Sequence, residues 1–256
     1  MFAVPPKNPS VALLVTCLVD LLRPQVGFAA VTLLERAGCK VSVPESQTCC
    51  GQPAYNSGDR ADARKIARQV IETFAGFDYV VAPSGSCAGM VRIHFAEFFA
   101  DDPVWAAKAM HLADRTYELT QFLTDVMGVA EVSAAHPGTA IYHDSCSGLR
   151  ELGIKDQPRA LLNTVNGLKT NDYSGSEACC GFGGTFCVKY PEVSDRIVGQ
   201  RVTELAATPG DLLLGGDLGC LINLAGKLSR TESKLRVFHV AEILAGDAGP
   251  AIGEKA

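Results

Sequence analysis

The sequence predicts an α/β protein built twice over: two similar lobes, each a small, mostly parallel sheet flanked by helices, with metal sites at the C-terminal ends of the strands. Three observations predict it. The first is a repeat among the ten cysteines: Cys17, Cys49-Cys50-Gly51 and Cys87 are followed by Cys146, Cys179-Cys180-Gly181 and Cys220, with equivalent cysteines 129, 130, 130 and 133 residues apart. Self-similarity at one long offset marks a duplicated structural unit. The second is an alternation of short apolar runs with helical patterns, which argues for parallel α/β lobes. The third is the composition, 47% hydrophobic and 20% charged, which suits a packed core and excludes disordered or fibrous chains.

In the first half, residues 11–15 form an apolar strand that stops just before Cys17. A second strand, 78–82, breaks at Pro83-Ser84-Gly85-Ser86-Cys87. In the second half, 139–143 leads to Cys146, and 211–214 breaks at Gly215-Gly216-Asp217-Leu218-Gly219-Cys220. Helical periodicity covers 24–37, 59–75 and 111–126 in the first half, and 158–165 and 191–207 in the second. The stretch 130–138, rich in small residues and containing His136-Pro137, separates a first cysteine-rich lobe at 1–130 from a second at 138–256.

Charge and hydropathy narrow the function. The net charge is −5 with Lys and Arg scattered singly, so there is no basic stripe to neutralise nucleic-acid phosphates, and no nucleic-acid partner is expected. The apolar run 11–19 is far short of the ~20 residues that span a bilayer, so no membrane span is expected. Only Lys7 precedes that run and no cleavage-like site follows it closely, which points away from secretion and toward the cytoplasm. Cysteines in that compartment hold metals or do redox chemistry more often than they form structural disulfides.

In parallel α/β lobes, ligands gather where strands end and helices begin. Cys17, Cys87, Cys146 and Cys220 are expected there, with Cys49-Cys50 and Cys179-Cys180 on loops whose glycine lets the backbone come close to a cluster. Soft thiolates stabilise iron, so four cysteines per lobe suit an iron–sulfur cluster, with one 4Fe–4S cluster per lobe as the first reading. Adjacent cysteines fit awkwardly on a compact cubane and suggest bridging or unusual geometry. A tetrahedral zinc ion and a reversible disulfide are the alternatives, and they would make the chain an assembly platform or a thiol–disulfide oxidoreductase.

The remaining candidates read more plainly. Cys39 and Cys187 stand outside the repeat and are expected to be small core hydrophobes. His143, three residues before Cys146, is a loop histidine with its own partner, a hydrogen-bonding neighbour of a ligand, or a ligand. Arg150 and Arg201 are expected to be solvated helix residues. Gly181-Phe182-Gly183-Gly184 is only a fragment of a dinucleotide fingerprint, and no phosphate loop or Ser, His and Asp constellation is present, so no NAD, flavin or acyl-transfer chemistry is expected.

These motifs resemble those of the Cys-Cys-Gly cysteine-rich domain family found in heterodisulfide reductase B subunits and glycolate oxidase iron–sulfur subunits, over nearly the whole chain. The resemblance is strongest to the lactate utilization protein A type, through Cys49-Cys50-Gly51-Gln52-Pro53-Ala54, Pro83-Ser84-Gly85-Ser86-Cys87, Tyr142-His143-Asp144-Ser145-Cys146 and Cys179-Cys180-Gly181-Phe182-Gly183-Gly184-Thr185-Phe186. It implies an oxidoreductase component that acts with two other lactate-utilization subunits in oxidising L-lactate to pyruvate, this chain carrying electrons onward. One departure is that heterodisulfide reductase B subunits carry a fifth cysteine three residues after the last, where this sequence has Met90 and Asn223. A five-thiolate cluster is therefore not expected.

Overall fold

A computed structural model describes residues 6–254, and its contacts divide the chain into two compact units that meet between Val129 and Ala130. The first unit runs β1 (Ser10–Leu13), α1 (Cys17–Leu22), α2 (Pro24–Arg36), β2 (Lys40–Ser42), α3 (Gln52–Asn56), α4 (Arg60–Thr73), β3 (Tyr79–Ala82), α5 (Gly85–Gly89), α6 (Pro103–Ala113), β4 (Thr116–Glu118) and α7 (Leu119–Gln121). α5 runs on through a π-helical turn at Met90–His94 and a 3-10 turn at Phe95–Phe99, and α7 through a π-helical turn at Phe122–Val126. The second unit runs β5 (Ala135–His143), α8 (Cys146–Leu152), α9 (Asp156–Leu162), β6 (Asn166–Asn171), α10 (Phe186–Lys189), α11 (Pro191–Ala206), β7 (Leu212–Gly215), α12 (Leu218–Leu228), β8 (Arg236–His239) and α13 (Val240–Ala245).

Each unit holds a four-stranded, wholly parallel sheet, ordered β2-β1-β3-β4 in the first and β6-β5-β7-β8 in the second. The fold class is thus α/β and duplicated, down to the strand order. The central strands carry apolar runs, 11–13 in β1, 80–82 in β3, 140–142 in β5 and 212–214 in β7, because helices cover both faces of a parallel sheet. Val11, Ala12 and Leu13 of β1, and Leu213 and Leu214 of β7, are fully buried. α4 shows the complementary pattern: Ala63, Ala67, Val70 and Ile71 form its buried stripe, at helical spacing. Helix starts follow local chemistry. Pro24, Pro103 and Pro191 open α2, α6 and α11, where a missing N–H costs nothing. Asp59 and Asp102 accept hydrogen bonds from the backbone N–H groups of Asp62 and Trp105.

Two sequence expectations need correction. The helix expected over 111–126 is broken: α6 ends at Ala113, and Thr116–Glu118 pairs with β3 as the edge strand β4 before the chain turns helical again. Pairing with an existing strand outweighs the weak local preference of three residues. The buried Glu118 side chain then accepts from the N–H groups of Thr120 and Gln121 and starts α7. β5 also begins at Ala135, so part of the expected linker 130–138 belongs to a strand. Among the described residues no helix is long and apolar enough to cross a membrane.

Candidate metal centres

In each sheet the strand order reverses between the two central strands, β1 and β3 or β5 and β7, and the loops there diverge to leave a crevice. The predicted cysteines lie on the helix starts and loops at these two reversals and beside them. Cys17 is the first residue of α1 and Cys87 lies in α5, directly after β1 and β3; Cys146 opens α8 and Cys220 lies in the first turn of α12, directly after β5 and β7. The Cys-Cys pairs sit on the loops that follow β2 and β6. Gly51 and Gly181 turn these loops in the left-handed conformation, with φ of +86° and +85°. A Cβ on Gly181 would also lie 2.9 Å from the Ser194 carbonyl oxygen, so close approach as well as torsion requires glycine there.

In the first lobe, the Cys17 and Cys49 sulfurs are 3.7 Å apart and those of Cys50 and Cys87 are 3.3 Å apart. Hydrogen bonds from the Cys17 and Cys50 thiols, together with the N–H groups of Gly51 and Cys50, outweigh burial and hold the Cys49 thiol down to about 3. Cys17 and Cys50 are pushed the other way, first by donating to this thiolate and then by burial. The Ser84 hydroxyl accepts from the Cys87 N–H at 3.3 Å and fixes the start of α5. Thr16, buried beside Cys17, takes φ of +74°, a conformation that costs a β-branched residue about 1–3 kcal/mol and turns the chain sharply from β1 into α1.

The second lobe repeats this pattern. Hydrogen bonds from Cys146 and Cys180 hold the Cys179 thiol down to about 2, while Cys146 and Cys180 are raised by their bonds to neighbouring sulfurs and by burial. Cys220 is raised as well: a hydrogen bond from Cys180 works against this, but burial and the negative charges of Asp217 and Cys179 prevail. The N–H groups of Gly181 and Phe182 point at the sulfurs of Cys179 and Cys180, at 3.3 and 3.5 Å, as donors suited to thiolates. The loop is pinned by Ser194, whose hydroxyl donates to the Gly181 carbonyl at 2.8 Å, and by Asn223, whose amide donates to the Cys180 carbonyl at 2.8 Å. At the position where a fifth thiolate would stand, Asn223 thus holds the loop.

Next to the second set of thiols in sequence and in hydrogen bonding lies a partly buried polar group. Arg159 grips both oxygens of the buried Asp144 at 2.8 Å each and reaches Asp172 at 2.7 Å. Of the three only Asp144 is buried, so removing Arg159 would strand its carboxylate, at less than the ~3–5 kcal/mol of a fully buried pair because Arg159 itself reaches solvent. The Asp144 N–H donates to the Ser176 carbonyl at 2.9 Å, drawing the 172–178 loop against the end of β5 and setting Tyr173 beside His143. His143 Nδ1 and the Tyr173 hydroxyl are 2.7 Å apart. The other ring nitrogen, Nε2, is buried without a hydrogen-bond partner, which costs about 1–3 kcal/mol unless something binds it. Burial depresses the His143 pKa to about 4, so the imidazole is neutral. A ring nitrogen of His143 and the sulfurs of Cys180 and Cys220 all lie within 4.8 Å of one another, the single close donor triad of this kind among the described residues.

The eight repeated cysteines therefore gather into two groups of four. Cys39 is buried, as a core thiol should be. Cys187 is not: it is only partly buried, and with Phe182, Asn223 and Arg230 it lines an open groove of about 440 Å³. It follows a glycine-rich turn that leaves it near the surface. Arg201 also departs from expectation, being buried on α11 with Nη2 2.7 Å from Glu204, whereas Arg150 is exposed. Tyr173 joins the site without any signal in the sequence, whereas Asn223 and Asp144 stand at positions the cysteine motifs mark, three residues after Cys220 and two before Cys146, though nothing there reveals their contacts.

Parallel α/β lobes carrying four strand-end cysteines each define a duplicated cysteine-rich protein, and the Cysteine-rich domain family (CCG) matches residues 11–92 and 140–225. The chain belongs to the lactate utilization protein A family. It is 48% identical to Lactate utilization protein A of Bacillus cytotoxicus and 49% identical to that of Bacillus subtilis, in both cases over 234 residues covering 91% of this chain and 98% of the relative. Among solved structures, glutamate racemase isoform RacE1 from Bacillus anthracis covers 93% of this chain at 10% identity and a TM-score of 0.36, with 79% of the racemase chain covered, too loose a likeness to bear on fold or site.

Proposed function

We propose that this chain is a cytoplasmic iron–sulfur electron-transfer protein that works with two further lactate-utilization proteins in oxidising L-lactate to pyruvate. Cys17, Cys49, Cys50 and Cys87 hold one cluster and Cys146, Cys179, Cys180 and Cys220 the other, each of the 4Fe–4S type. The observation that carries this reading is the convergence of two thiol quartets at equivalent strand ends, in a chain whose curated relatives bear the name Lactate utilization protein A.

The donor set fits such a cofactor. All eight side chains are soft sulfur donors, one thiol of each quartet already favours the thiolate, and backbone N–H groups are directed at Cys179 and Cys180. Bound there, a cluster would supply one-electron storage. Lactate gives up two electrons and two protons on becoming pyruvate, a stoichiometry that two one-electron sites match. The chain's own residues bury Cys50, Cys87, Cys180 and Cys220, direct N–H groups at Cys179 and Cys180, and through Ser194 and Asn223 hold the Cys-Cys-Gly loop of the second lobe in place.

The test is anaerobic purification. The chain should carry iron and acid-labile sulfide in roughly equal amounts. Its visible absorbance should bleach on reduction, and should bleach with lactate only when the partner proteins are present. A colourless zinc-loaded chain, or a metal-free chain whose thiols cycle through a disulfide such as Cys50–Cys87, would overturn the proposal.

A further inference from the structure

The lobes repeat their cysteines but not the residues beside them. Three positions before Cys17 stands Leu14, fully buried and apolar; three positions before Cys146 stands His143, equally buried and polar. We infer that His143 is a ligand of the second-lobe centre, binding metal through Nε2 in place of one of the four cysteines assigned above, so that the chain holds two chemically unlike centres: one ligated by sulfur alone and one by sulfur and imidazole. This inference rests on the cluster-binding reading above.

Four observations support it. The His143 side chain is 1% exposed, so no bulk water satisfies it. Its Nε2 has no hydrogen-bond partner, although a buried ring nitrogen strongly prefers one. One ring nitrogen of His143 and the sulfurs of Cys180 and Cys220 fall within 4.8 Å of one another, a span that a shared metal centre bridges, and Nε2 is the nitrogen left open for it. The opposite nitrogen, Nδ1, is engaged by the Tyr173 hydroxyl at 2.7 Å, and the two rings stack at 29° with centroids 6.2 Å apart. Metal-binding histidines are characteristically held this way, with the nitrogen away from the metal tied to a fixed polar group that sets the ring's orientation and tautomer. Tyr173 is a positioning residue in this arrangement, itself fixed because the 172–178 loop is tied to the end of β5.

The chemical consequence is an asymmetry of potential. A neutral imidazole brings no negative charge, so a centre ligated partly by imidazole accepts an electron more readily than an all-thiolate one. The second lobe is then the better acceptor of the two, and the first the better donor.

Pulsed EPR on the full chain, purified anaerobically, reduced stepwise and carrying 15N-labelled histidine, tests this. One of two cluster signals should show a strong nitrogen coupling that changes with the label, and that signal should appear at the higher potential. In His143→Leu, which copies the first lobe, the coupling should vanish and the potential of that signal should fall, while the other signal stays unchanged. Tyr173→Phe should keep the coupling but shift it. Two loaded clusters with no label-sensitive coupling in the wild-type chain would overturn the ligand assignment and leave the cluster reading intact. A chain without iron and sulfide would overturn both.

Discussion

Cys39 and Cys49, ten residues apart, hold their protons under opposite pressures. Burial alone pushes the Cys39 thiol up to about 11, whereas donated hydrogen bonds pull Cys49 down to about 3. The first is the behaviour of a packing residue and the second that of a metal donor. Because the folded Cys39 keeps its proton above the ordinary value of 9, its contribution to stability is complete below pH 9 and is lost as the pH rises through 11. Unfolding by urea at pH 8 and pH 10.5, with thiols kept reduced, should show wild type losing about 2 kcal/mol more than Cys39→Ala between the two pH values. An equal loss would assign the alkaline sensitivity elsewhere. At this scale the sequence is informative about the eight repeated cysteines, because duplication singles them out, and silent about their neighbours. His143 can be suspected from its nearness to Cys146, but its partner Tyr173 comes from a loop beyond β6 and is brought in by backbone contacts that no spacing reveals.

The elements position these residues by close packing at their ends. At the start of α12, Gly219 gives space to the Phe182 ring of the Cys-Cys-Gly loop: a Cβ there would come within 2.4 Å of Phe182 Cε1. Gly219→Ala is expected to displace Phe182, to cost about 1–3 kcal/mol by overpacking, and to lower iron retention in the second lobe. Gly226→Ala, on the same helix with nothing within 4 Å of the added Cβ, should leave iron unchanged and stabilise by up to about 1 kcal/mol. Thermal unfolding and iron content of the two variants separate packing at the site from a general effect on the helix. Central strands and long helices are legible from their apolar runs and 3.6-residue period. Edge strands are not: β4 has three residues, and β6 reads Asn-Gly-Leu-Lys-Thr-Asn with only Leu168 buried. Such strands exist because a neighbouring strand offers them a ladder of hydrogen bonds, which is a property of the tertiary fold.

For the whole molecule, duplication is the organising fact, since both units reach the same strand order and set their cysteines at the same reversal of that order. The cysteine repeat makes this architecture readable from the amino-acid order alone. It does not reveal that the copies have diverged, with a charged and imidazole-bearing group next to one quartet and Leu14 and Val15 at the corresponding positions of the other. Separate occupancy of the two quartets, one cluster to each, is what most needs testing. Iron and acid-labile sulfide should be measured in the full chain, purified anaerobically as wild type, Cys50→Ser, Cys180→Ser and the double variant. Each single variant should lose about half of both and the double variant nearly all, as expected if one ligand set serves one cluster. Iron and sulfide that survive the double substitution, or that disappear entirely with either single one, would contradict it.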